Sequence, residues 1–175
     1  MKLAKVVIVG KDEAGKSTLV QNIVPGAINI ERHGRTIALD YGNKEHKNYK
    51  LHLFGTPGQA RFRIVRDVVA RGMDVAVWVL DYSRRFDDRD KEILKFLNES
   101  KVPFLVFANI KPGVQKERRR VIRLIGKPEG LKAIVVGSAK SGFRVAELLD
   151  EIVNILESKN GSKKANRLED ECSES

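Results

Sequence analysis

The run Gly10-Lys11-Asp12-Glu13-Ala14-Gly15-Lys16-Ser17 fits the pattern G-x-x-x-x-G-K-[ST], and no other stretch narrows the possible folds of this chain so far. Residues 3–9 before it are largely apolar and rich in β-branched side chains, which reads as a buried strand. After it, Thr18-Leu19-Val20-Gln21-Asn22-Ile23 reads as a helix with Leu19 and Ile23 on one face. Strand, glycine turn and helix in that order make a hollow for phosphate. Gly10 and Gly15 allow the backbone to turn tightly, so that successive N–H groups converge. The first helical turn adds free N–H groups and partial positive charge. Gly10, Lys11, Asp12, Glu13, Ala14, Gly15, Lys16, Ser17 and Thr18 are therefore the candidate phosphate-binding residues. Lys16 is the candidate to reach the β- and γ-phosphates, and the Ser17 hydroxyl is a candidate Mg²⁺ ligand.

Strand-like apolar runs recur at 3–9, 37–41, 51–54, 75–80, 102–108 and 133–136. Four of them are continuous rather than alternating, as in strands covered on both faces. Helical patterns lie between them. One spans 88–99, with Ile93, Leu94, Phe96 and Leu97 on its inner side, and the last carries the stripe Val145, Leu148, Leu149, Ile152, Ile155 and Leu156. This alternation predicts an α/β three-layer sandwich with a six-stranded, mostly parallel sheet and about five helices. Segments 36–41 and 46–54 flank the polar stretch Gly42-Asn43-Lys44-Glu45, which predicts a hairpin and hence one antiparallel strand.

A chain of 175 residues suits one domain with a sizeable core. From Ser158 the composition turns polar, and it ends in the acidic run Glu169-Asp170-Glu171-Cys172-Ser173-Glu174-Ser175. A domain over 1–157 and a disordered tail over 158–175 are expected, because the tail has too little apolar surface to order itself. Part of the net charge of +10 is local, in Lys116-Glu117-Arg118-Arg119-Arg120-Val121-Ile122-Arg123. That run reads as the solvated face of a helix. No aromatic residues are interleaved with it, so nucleic acid is not expected as a partner, and membrane association is expected to be peripheral at most. No apolar run approaches the ~20 residues of a membrane span, and the single cysteine suits a reducing compartment, so the expected location is the cytoplasm. His33, His46, His52 and Cys172 make no metal-ligand cluster. The ending Cys172-Ser173-Glu174-Ser175 lacks the aliphatic pair of a prenylation signal.

In order along residues 1–157, these and three further motifs resemble the Ras-like small GTPase superfamily, which implies a P-loop NTPase fold. Thr36, within Arg35-Thr36-Ile37-Ala38-Leu39-Asp40-Tyr41-Gly42, resembles the switch I threonine. The resemblance implies that Thr36 joins Ser17 as a Mg²⁺ ligand and senses the γ-phosphate. Gly55-Thr56-Pro57-Gly58-Gln59-Ala60-Arg61-Phe62 resembles switch II. It implies that the Gly58 N–H touches the γ-phosphate and that Gln59 orients the attacking water, so that Gln59 and Lys16 are the catalytic candidates. Val106-Phe107-Ala108-Asn109-Ile110-Lys111 stands where the family has N-K-x-D, and Val136-Gly137-Ser138-Ala139-Lys140 where it has S-A-K. The resemblance implies base contacts from Asn109, Lys111, Ser138, Ala139 and Lys140. Glycine followed by T-P-G-Q resembles a prokaryotic branch related to GTPases that pair with Roadblock-type regulators.

The pattern breaks at four positions. Gly55 replaces the aspartate that holds a Mg²⁺-bound water, Ile110 replaces the lysine over the base, and Pro112 replaces the aspartate that pairs with guanine. Asp12 resembles the ADP-ribosylation-factor group at a loop position beside the γ-phosphate, and no arginine is placed by sequence to act in cis. The expectation is a Mg²⁺-dependent switch that binds GTP, hydrolyses it slowly to GDP, and is read by a protein partner. That partner surface is segment 35–41 and a helix beginning near Arg61. Two alternatives stay open: a nucleotide-dependent scaffold without significant turnover, and a P-loop kinase or ATPase with relaxed base specificity. Gln59 argues against the first, and the lack of an inserted lid segment against the second.

Overall fold

The structure is a computed structural model and describes residues 1–32, 35–57, 70–111 and 118–173. Its strands are β1 (Lys2–Val9), β2 (Ile28–Arg32), β3 (Arg35–His46), β4 (Tyr49–Gly55), β5 (Val75–Asp81), β6 (Phe104–Asn109) and β7 (Leu131–Gly137). They form one sheet in the order β2-β3-β4-β1-β5-β6-β7. Pairing is parallel throughout except at β3, which runs against both β2 and β4. Four helices are described: α1 (Lys16–Ile23), α2 (Asp88–Ser100), α3 (Arg118–Ile125) and α4 (Val145–Ser173). The helix expected near Arg61 lies outside the described residues.

The alternation of side chains along β1 divides the core into two layers. Val6 and Ile8 pack with Leu19 and Ile23 of α1 and with Leu148 and Ile152 of α4. Val7 and Val9 face the other way, toward Ile93 and Leu97 of α2 and Val121 and Ile125 of α3. Strands β5 and β6 are buried along their whole length, which is why they read as unbroken apolar runs. Each buried leucine- or isoleucine-sized side chain contributes about 1.5–3 kcal/mol, so the two layers hold the sheet from both sides. The three-layer α/β architecture with one antiparallel strand is the one that the sequence pattern predicts. The sheet exceeds the expected six strands by β2, a five-residue edge strand paired with β3 alone.

Two boundaries differ from the sequence reading. The hairpin turn is not at Gly42-Asn43-Lys44-Glu45. Those four residues pair with β4 in the register Gly42↔Leu53 to Glu45↔Lys50, and the turn is the two residues Lys47 and Asn48, with Lys47 at φ 52°. Gly42 answers to packing rather than to a turn, since a Cβ there would lie 2.9 Å from the Val24 side chain. Asp150 of α4 holds the hairpin tip, 2.8 Å from both His46 Nε2 and Lys47 Nζ.

The second difference is at the end of the chain. Helix α4 continues through Ser158 to Ser173 without a break, past the expected start of an unstructured tail. The segment contains no proline and one glycine, Gly161, and the Asn160 side-chain amide donates to the Tyr49 hydroxyl at 2.9 Å. That bond ties the first extra turn to the hairpin.

Candidate functional site

The described parts of the sequence motifs lie at the carboxyl ends of the parallel strands, where loops in open α/β sheets gather ligands. The loops after β1, β4, β5, β6 and β7 all open there. A cavity of about 1170 Å³ lies at the opposite end, lined by Pro103, Pro128, Gly130 and Lys132 among others, and shares no residue with the motifs.

The phosphate loop is shaped by two close approaches. A Cβ at Gly10 would lie 2.6 Å from the Val79 carbonyl of β5, and one at Gly15 would lie 2.3 Å from the Asn109 side-chain nitrogen. Gly15 also sits at φ 107°, which side-chain-bearing residues rarely adopt. It caps α1 with no side-chain hydrogen bond, so the first N–H groups of the helix face the hollow without a side-chain acceptor. The Lys16 ammonium curls over this hollow and donates to the carbonyls of Gly10 at 2.8 Å and Lys11 at 2.6 Å. Burial pulls it down to about 8, against the opposing charges of Asp12 and Asp40. Ser17 and Thr18 are exposed at the start of α1, and the Ser17 hydroxyl donates to Asp40 Oδ2 of β3.

Three anchors hold the loop. The first is the Lys11 side chain. It is buried and pairs with Asp90 at 2.7 Å and Asp87 at 3.3 Å, the residues of the α2 capping box, so Lys11 lines the loop with backbone only. Arg84, after β5, donates to the Asp12 carbonyl at 2.8 Å. Thr56, after β4, donates from both N–H and hydroxyl to the Ile8 carbonyl at 2.9 Å. Glu13 is exposed at φ 59°, and Ala14 is buried beneath the loop.

On the base side, the structure brings Asn109, Ala139 and the phosphate loop together. The buried Asn109 amide donates to the Ala14 carbonyl at 2.9 Å and accepts from the Ala139 N–H at 2.9 Å. Both ends of that amide are engaged with backbone, as buried amides ordinarily are. Asn109 and Ala139 therefore form the seam between the phosphate loop and the loop after β7. Ser138 accepts from the Ser141 N–H at 3.2 Å, and Lys140 is exposed. The Lys111 ammonium pairs with the buried Asp81 carboxylate at 3.2 Å. Burial opposes the charge on Asp81, but the Ser83 hydroxyl and N–H together with Lys111 hold its pKa below the usual carboxylate range.

Thr36 falls near the start of β3. Gly58 and Gln59 lie outside the described residues, as does Pro112. Among the described residues no group of three or more His, Cys, Asp or Glu is placed to hold a metal. Mg²⁺ does not need one, because one or two protein groups plus phosphate oxygens and water suffice, and the exposed Ser17 hydroxyl beside the Asp40 carboxylate suits a hard cation. Sequence reasoning missed Asp40, Arg84 and the Asp81–Lys111 pair. Only for Asp40 was there a signal, the missing carboxylate at Gly55.

Comparison with known proteins agrees with this geometry. Residues 5–110 match the family model described as 50S ribosome-binding GTPase. An uncharacterized protein of Methanocaldococcus jannaschii is 41% identical over 105 residues, which cover 60% of this chain and 68% of that protein. GTPase Der of Mycoplasma capricolum is 27% identical over 172 residues, covering 91% of this chain and 38% of Der. Among solved structures, Era in complex with MgGDPNP and nucleotides 1506–1542 of 16S ribosomal RNA superimposes with a TM-score of 0.71 at 27% identity, over 89% of this chain and 57% of that one. The G domain of the T. maritima FeoB iron transporter shares the fold at 21% identity and a TM-score of 0.71, over 87% of this chain and 98% of that one. Fold and phosphate loop define a P-loop GTPase domain. The chain belongs to the 50S ribosome-binding GTPase family. It spans little more than a third of Der.

Among the described residues no helix is long and apolar enough to cross a membrane.

Proposed function

We propose that the chain binds GTP and GDP at residues 10–18, hydrolyses GTP slowly, and acts as a Mg²⁺-dependent switch read by a protein partner in the cytoplasm. The observation that carries this reading is the uncapped start of α1 behind Gly15, with the Lys16 ammonium folded over the hollow. Phosphate oxygens would take over from the Gly10 and Lys11 carbonyls as partners of Lys16, and the N–H groups of the loop would meet the remaining oxygens. When bound through Ser17 and Thr36, Mg²⁺ supplies charge neutralisation at the phosphates. Gln59 orients the attacking water, and the Gly58 N–H and Thr36 sense whether the γ-phosphate is present. Segment 35–41 and the segment from Arg61 onward then present that state to the partner. The run Gly55-Thr56-Pro57-Gly58-Gln59 supports a Roadblock-type regulator as that partner.

Guanine preference is supported by the family and by Ser138-Ala139-Lys140, and it is blunted by Ile110 and Pro112. Titration with GTP, GDP and ATP, each with and without Mg²⁺, tests the reading. GTP and GDP binding tighter than ATP is expected, and equal or tighter ATP binding overturns it. Gly55, in place of the aspartate of relatives, favours a second reading, a nucleotide-dependent scaffold without turnover. Single-turnover hydrolysis separates the two: the switch loses its rate in Gln59→Ala, whereas the scaffold has no rate to lose.

A further inference from the structure

We propose that Asp40 supplies the carboxylate of the Mg²⁺ site, from strand β3, in place of the aspartate that relatives carry at the position of Gly55. The inference rests on the nucleotide reading above and adds a residue to it.

Register carries the first part of the argument. Strands β3 and β4 pair as Tyr41↔Phe54, and the next step of that antiparallel ladder sets Asp40 across from Gly55. Gly55 in turn pairs with Ile8 of β1, two residues before the phosphate loop. A Cβ on Gly55 would lie 3.2 Å from the Asp40 Cβ and 3.4 Å from its Oδ2. The Asp40 carboxylate therefore stands at the edge of the volume that a side chain at residue 55 would enter. Aspartates at both positions would crowd each other and set like charges across one strand pair, an unfavourable arrangement. Glycine at 55 and aspartate at 40 are complementary. The site keeps one carboxylate and moves it by one strand.

Contact with the candidate metal ligand carries the second part. Asp40 Oδ2 accepts the hydrogen bond of the Ser17 hydroxyl. That hydroxyl has one proton and two lone pairs, so it can donate to Asp40 and still turn a lone pair toward a cation. Asp40 is half-exposed and its charge acts on the Lys16 ammonium, so it faces the phosphate hollow rather than the core. A hard, oxygen-preferring cation held mainly by phosphates is completed by one such carboxylate. Because β3 continues segment 35–41, metal and switch segment share a strand, a linkage absent when the carboxylate comes from β4.

The test uses the full chain and a fluorescent N-methylanthraniloyl GDP. Its release rate is measured in excess Mg²⁺ and in EDTA, and the ratio of the two rates reads how firmly the metal holds the nucleotide. In Asp40→Asn, which keeps the size of the side chain and an acceptor for Ser17, the ratio falls by roughly 10- to 100-fold, the usual cost of losing a supporting group at a metal. The exchange variant Asp40→Gly with Gly55→Asp, which returns the carboxylate to β4, recovers most of that loss. An unchanged ratio in Asp40→Asn, or an exchange variant no better than Asp40→Asn, overturns the proposal while the nucleotide reading stands. Wild-type chain that holds no GDP in either buffer overturns both.

Discussion

The two halves of the candidate nucleotide site are built from different materials. On the phosphate side, the hollow is made of backbone: glycines at 10 and 15, an uncapped helix start, and carbonyls that hold Lys16. Side chains there serve as anchors from outside, such as Lys11 into the α2 cap and Arg84 onto the Asp12 carbonyl. On the base side, recognition depends on side chains, and these are engaged with the protein itself: Asn109 with Ala14 and Ala139, Lys111 with Asp81. A backbone hollow survives substitution around it, so its motif stays intact in the sequence and a lost carboxylate can be replaced from the next strand. A site made of side chains changes its preference with each substitution, and Ile110 and Pro112 are two such changes. On the proposed reading, phosphate binding is the fixed property of this chain. Base choice is the adjustable one.

The largest effect is expected at the anchor of the phosphate loop. Lys11→Met leaves the Asp90 carboxylate buried without its cation, and a stability loss of about 3–5 kcal/mol is expected in denaturant unfolding. A loss below about 1 kcal/mol would mean that the anchor is dispensable. Asn109→Ala comes next, because it strands the Ala14 carbonyl and the Ala139 N–H. Unfolding should show a cost of about 1–3 kcal/mol, and GDP and ADP affinities should fall together. A drop confined to GDP would instead make Asn109 a reader of the base. The gentlest variant rebuilds the family pattern with Ile110→Lys and Pro112→Asp. One added charge-assisted pair to guanine should sharpen the GTP-over-ATP ratio by about tenfold, with Mg²⁺ dependence unchanged.

Much of this arrangement was legible in the residues. Strands β1, β5 and β6 announce themselves because helices cover both faces, and the phosphate loop because its geometry demands glycine at two fixed places. The edge strand β2 is too short for its Ile28-Asn29-Ile30 alternation to stand out. Gly42-Asn43-Lys44-Glu45 has the composition of a turn yet lies in β3, where Gly42 makes room for Val24. That misplacement has a consequence for the site. A turn at 42–45 would pair Asp40 with the hairpin tip, near Lys47, whereas the true turn at Lys47 and Asn48 brings it against Gly55. The partner of Ser17 was hidden because it depends on register, which composition does not encode. The Asp81–Lys111 and Lys11–Asp90 pairs join residues 30 and 79 positions apart, and only the folded sheet brings them together.

Calorimetric titration of GDP into the wild-type chain and into Lys16→Ala probes the phosphate hollow itself. Removing an ammonium that would face two phosphates should weaken binding by about 100-fold, at roughly 1.4 kcal/mol for each tenfold. A variant that takes up GDP as tightly as the parent would contradict the account, because the ligand would then be held somewhere other than residues 10–18.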